Sequence, residues 1–172
     1  MTRSMSLLAL ALLVPACSLP VQERVVSGPA FTLTPDAPVA AFEVTLCIDG
    51  PKVKHAYVSA TAEFSAVSTS TRPLRLDAES LDAPEDQQPA TLHLSPGASK
   101  DDSLWMVAAG AFERGGRRCG EPEVIQFSVD ALDANERIDV TAWDVVMRVE
   151  WEGDKIGQSL GDEDLSVEIV QL

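Results

Sequence analysis

The chain has 172 residues, 45% of them apolar and 23% charged, and a formal net charge of −14. With 13 Lys and Arg against 27 Asp and Glu, it lacks the concentrated positive surface that phosphate recognition needs, so nucleic acid is not an expected partner. The length suits one domain with its own core, and three cysteines are too few for a fold built from disulfides.

Residues 1–16 read as an export signal. Arg3 supplies the positive start, and Leu7 to Val14 is an unbroken run of Leu, Ala and Val, far shorter than the ~20 residues of a membrane-spanning helix. That run ends in Leu13-Val14-Pro15-Ala16-Cys17, which resembles the lipobox of bacterial lipoproteins: an aliphatic residue, two small ones and a cysteine. Pro15 departs from the small residue usual at its place. The resemblance implies an acylated Cys17, cleavage before it, and attachment to the cell envelope through that lipid. Ser18 after the cysteine points to the outer membrane rather than the inner one. Val14-x-Ala16 also satisfies the rule for ordinary signal-peptidase cleavage. Cysteine parity favours the lipid, because it leaves Cys47 and Cys119 as an even pair, hence a disulfide, in an oxidising compartment.

Residues 17–29, with Pro20, Gly28 and Pro29 and no sustained periodicity, read as the lipidated cysteine and a tether. From 30 to 172 the period is two. Phe31 and Leu33 alternate; Phe42, Val44, Leu46 and Ile48 make one face, as do Ala56, Val58, Ala60, Ala62 and Phe64. Leu74 with Leu76, and Leu92 with Leu94, give shorter strands, and Leu104 to Phe112 a further, more ambiguous one. Ile125, Phe127 and Val129 follow. Ile138, Val140 and Ala142 face one way while Trp143, Val145, Met147, Val149 and Trp151 begin the opposite parity, which predicts a bulge near Ala142. Leu165, Val167 and Ile169 close the chain. Such alternation between Gly, Pro, Asp and Ser segments predicts an all-β antiparallel sandwich of about eight or nine strands, Ig-like or transthyretin-like in layering, with a small barrel second.

Glu113-Arg114-Gly115-Gly116-Arg117-Arg118 fits a hairpin, Gly-Gly supplying the turn. Arg114, Arg117 and Arg118 are the main basic concentration in an acidic chain and so a candidate surface for an envelope protein partner. Closing the loop between Cys47 and Cys119 is expected to stabilise by roughly 4 kcal/mol.

No serine, histidine or cysteine pattern of a hydrolase or redox centre is present. His55 and His93 lack His or Cys companions at zinc spacing. No catalytic residue, metal ligand or cofactor is therefore assigned. Two features suit ligand binding instead: Trp105, the tryptophan whose parity best suits exposure, as a glycan platform, and Asp162 with Asp164 after Gly161 as calcium-type oxygen donors. The expected function is that of a non-enzymatic envelope lipoprotein acting as an accessory or protein-interaction subunit. A ligand-binding module for glycan or calcium is the alternative.

Overall fold

The computed structural model describes residues 19–49, 53–84, 87–106, 111–113, 117–153 and 160–172. The signal, Cys17 and Arg114 lie outside them. Twelve strands are formed among the described residues: β1 (Val21–Ser27), β2 (Phe31–Leu33), β3 (Val39–Asp49), β4 (Val53–Ser68), β5 (Leu74–Ser80), β6 (Ala90–Leu94), β7 (Ser99–Met106), β8 (Ala111–Glu113), β9 (Arg117–Cys119), β10 (Glu123–Val129), β11 (Ile138–Gly153) and β12 (Leu165–Gln171). They make two six-stranded antiparallel sheets packed as a sandwich.

In the first sheet the order is β1-β11-β4-β7, with β2 continuing the β1 edge along β11 and β8 continuing the β7 edge along β4. In the second the order is β12-β3-β10-β5-β6, with β9 pairing β3 beyond the end of β10. Long central strands bordered by interrupted ones explain why the count exceeds the eight or nine expected. β4 and β11, with 16 residues each, extend about 50 Å at ~3.3 Å per residue.

The period-two faces become the core. Phe42, Val44, Leu46 and Ile48 from β3, the alanines of β4 with Phe64, and Trp143, Val145, Met147, Val149 and Trp151 from β11 are all buried. Burying each large side chain contributes about 1.5–3 kcal/mol. Toward one end an aromatic cluster joins the layers, with Phe42 4.8 Å from Trp143, Phe31 5.0 Å from Phe127 and Phe64 5.3 Å from Phe127 between ring centres. The expected bulge is present. The β11–β4 register slips between Val140 and Ala142, so Thr141 is extra and both Val140 and Trp143 turn inward.

Three expectations are corrected. Val21–Ser27 is strand β1, not tether; it pairs with Asp144–Glu150 of β11, and its less exposed face is Gln22, Arg24 and Val26, too polar to show a hydrophobic period. β7 begins at Ser99 rather than near Leu104, its first residues being polar on both faces. The 113–118 hairpin does not form, because β8 belongs to the first sheet beside β4 while β9 belongs to the second beside β3.

Candidate functional site

Residues that face away from the core on the first sheet form rows across its strands. One row is Val25–Val146–Thr61–Trp105, set by the pairings Val25 with Val146, Val146 with Thr61 and Thr61 with Trp105. Trp105 is 58% exposed and Val25 56%. The carbonyl of Trp105 accepts a 2.8 Å hydrogen bond from Gln87 Nε2, which ties the β7 edge to the connection between β5 and β6. Large apolar groups left in water on an edge-to-edge line are a feature that needs an occupant or a reason.

The next row is Ser27–Asp144–Glu63–Ser103. Here two carboxylates sit directly opposite each other on adjacent strands, an arrangement that destabilises a sheet. Beyond them Ser65 pairs with Asp101. Glu63, Asp144, Ser65 and Asp101 line an open groove of about 460 Å³ with Phe64, Asp102, Ser103 and Ala142. Ser27 Oγ donates to Asp144 Oδ1 at 2.5 Å and Ser65 Oγ donates to Asp101. Asp102 accepts from the Ser103 amide at 2.8 Å. None of the four carboxylates forms an ion pair among the described residues. On the other flank of the apolar row, Arg148 is shared between Glu23 at 3.9 Å and Glu150 at 3.5 Å, so charge is partly offset there, whereas no cation pairs with the groove carboxylates among the described residues.

The residues singled out from sequence are distributed differently. Trp105 is exposed as its parity suggested, and Trp143 and Trp151 are buried. Cys47 and Cys119 are disulfide-bonded, directly opposite on β3 and β9, with Cα atoms 4.0 Å apart. Arg117 lies over this bridge, its Nη2 3.8 Å from Cys47 Sγ, and pairs with Glu168. Arg118 opposes Ile48 and follows it inward; its guanidinium nitrogens are buried without a hydrogen-bond partner among the described residues. Adjacent strand residues face opposite sides of the sheet, so Arg117 and Arg118 present no common basic surface. Asp162 accepts from Gln22 Nε2 at 2.7 Å, and Asp164 accepts from the Gly161 amide at 2.8 Å. Both thereby brace a short 3₁₀ turn, Asp162–Asp164. His55 and His93 are exposed on different sheets. Among the described residues no group of three or more His, Cys, Asp or Glu is arranged to hold a metal ion.

Val25, Asp144 and Glu63 were not singled out from the sequence. The one sequence signal for them is parity: each lies on the solvent side of its strand, and only strand order brings them beside Trp105.

No protein-family model matches the chain, and no curated protein matches it. Among solved structures it is similar to the CBM36-1 domain of a multidomain xylanase from the hindgut metagenome of Trinervitermes trinervoides. That likeness has 11% identity and a TM-score of 0.33, over 73% of this chain and 96% of that one. It is similar to a family two carbohydrate esterase from Cellvibrio japonicus at 9% identity and TM-score 0.32, over 80% of this chain and 37% of that one. Infectious bursal disease virus, Gx strain, gives 13% identity and TM-score 0.41, over 90% and 36%. The chain thus spans little more than a third of the latter two. The fold assignment rests on the strand pairing itself.

Proposed function

We propose that the chain is a non-enzymatic binding domain, lipid-anchored through Cys17 in a bacterial envelope, outer membrane by the Ser18 rule, that holds a basic protein partner on the outer face of its first sheet. The observation that carries this reading is the Val25–Val146–Thr61–Trp105 row, exposed at Val25 and Trp105, running beside the directly opposed Asp144 and Glu63, which form no ion pair among the described residues. An apolar strip with an aromatic at its edge supplies contact area, and the adjoining carboxylates favour Lys or Arg on the partner. Opposed like charges cost stability in the free domain, as local conflicts kept for function do. The pairing of Cys47 with Cys119 supports the anchor, since it leaves Cys17 as the remaining cysteine of three.

The test is photo-crosslinking in intact envelopes from position 105 and, as control, from position 93 on the opposite sheet. The expected result is a basic protein captured from 105 alone, with capture falling as salt rises. Equal capture from both positions, or capture insensitive to salt, overturns the reading. A second reading has one observation in its favour: Tyr57, also 58% exposed, shares this face, with Ser59 and Thr61 on the strand between the two aromatic positions. Glycan adducts from 105 without any protein would favour it and displace the first.

A further inference from the structure

The anchor residue and the start of the fold are closer than a tethered domain requires. The carbonyl of Pro20 already accepts a 3.2 Å hydrogen bond from the Trp151 amide, and β1 begins at Val21. Only Ser18 and Leu19 separate Cys17 from this first tertiary bond. Three peptide steps reach about 10 Å at full extension, much less than the ~50 Å length of the central strands. We infer that, when Cys17 carries its lipid, the end of the sandwich holding Pro20 rests on the bilayer surface, and that Leu19, Val21 and Tyr57 contact the headgroup region. The inference rests on the lipid-anchor reading.

Among the described residues, three exposed apolar or amphipathic side chains lie toward that end. Leu19 is 39% exposed, Val21 44% and Tyr57 58%. Val21 and Tyr57 flank Glu150 in a single row across β1, β11 and β4, so they stand about 10 Å apart at two strand spacings. Tyrosine, with an apolar ring and a polar tip, suits the headgroup level of a membrane. Glu150 between them is paired with Arg148 at 3.5 Å, which reduces its repulsion from an anionic surface. The opposite end, where Thr34 bridges Ala37 and Val39 begins β3, then points away from the membrane. The Trp105 row lies four residues along the strands from the Tyr57 row, on the order of 13 Å farther from the bilayer.

The test uses the chain produced with its own signal, its acylation read by intact mass, and hydroxyl-radical footprinting on vesicles of phosphatidylethanolamine and phosphatidylglycerol. The reference is the Cys17→Ser protein free in solution. The expected result is severalfold lower oxidation of Tyr57 on the vesicle, with Trp105 and Val39 unchanged. Inserting a flexible Gly/Ser linker of about fifteen residues before Pro20 should restore Tyr57 oxidation while the acyl mass is retained. Acylated protein in which Tyr57 and Val39 are oxidised alike, bound and free, overturns the inference and leaves the anchor standing. Tyr57 protection that survives the linker overturns the tether-length argument. Protein lacking any acyl group on Cys17 overturns the anchor reading, and this inference with it.

Discussion

Gly28 lies flat against the indole of Trp143. Its amide donates to the Trp143 carbonyl at 2.9 Å, and a Cβ at position 28 would fall 1.9 Å from Cε2 of the ring. The indole Nε1 donates in turn to the Pro29 carbonyl at 2.9 Å. One tryptophan thus fixes the gap between β1 and β2, at the level where the β11 bulge turns it inward. Neither partner can retreat, since the backbone is bonded to the residue whose ring it meets. Gly28→Ala is therefore expected to lower stability by about 2–3 kcal/mol through overpacking, measured by chemical denaturation.

The tryptophans separate structure from recognition. Trp143→Ala empties a site in the aromatic cluster and should cost about 3–5 kcal/mol. Trp105→Ala should change the melting curve by less than about 0.5 kcal/mol while abolishing partner capture. A large loss of stability on removing Trp105 would place it in the packing rather than in a binding face.

Opposed carboxylates make the opposite kind of prediction. Glu63→Lys converts the Asp144–Glu63 pair into an attractive one and should raise stability by about 0.5 kcal/mol. The same change should weaken capture of a basic partner. A gain in stability with loss of binding is the signature of a charge conflict retained for function, and a variant that binds unchanged would remove the groove from the interface.

The disulfide closes a separation of 72 residues. Replacing both cysteines with alanine should cost about 4 kcal/mol by the loop-entropy relation, read as a shift in denaturation midpoint. Reducing agent should produce a similar shift in the native chain and none in the double variant.

At the end of the sandwich away from β1, Glu136 is held below the usual carboxylate range, first by the Asp133 amide and then by the Ser70 hydroxyl, with Arg72 adding to both. A carboxylate whose folded pKa is depressed contributes stability that is fully present above its unfolded pKa. That contribution is lost as pH falls through the folded value. Glu136→Gln should therefore melt earlier than the native chain at neutral pH. The difference should shrink below the ordinary glutamate pKa of about 4.3 and vanish in stronger acid.

Much of this fold was legible because burial on one face writes a period of two into the chain. The sequence marks the faces of β3, β4, β10 and β11, and the parity break before Trp143 locates the bulge. β1 was hidden because it is an edge whose less exposed face is Gln22, Arg24 and Val26. The fate of 113–118 was hidden for a different reason. A Gly-Gly segment between two short strands reads the same whether they pair with each other or with separate sheets, and only the long-range partners, β4 and β3, distinguish the cases. That choice also turned Arg118 inward, away from the side of the sheet that Arg117 occupies. Of the candidate site, Trp105 was readable from parity. Val25, Asp144 and Glu63 were not, since their proximity depends on β1, β11, β4 and β7 lying side by side.

The direction in which β1 enters the first sheet has a mechanical consequence. Its seven residues run antiparallel to β11 and meet seven partners, from Val21 opposite Glu150 to Ser27 opposite Asp144. A pull on Leu19 along the strand axis acts across hydrogen bonds that lie perpendicular to it. The load is thus shared by the whole ladder in shear instead of opening one rung at a time. A domain held by its first residues against flow or against the motion of a bound partner would give way by sliding β1 as a unit, at a higher force than peeling from the same ladder would require.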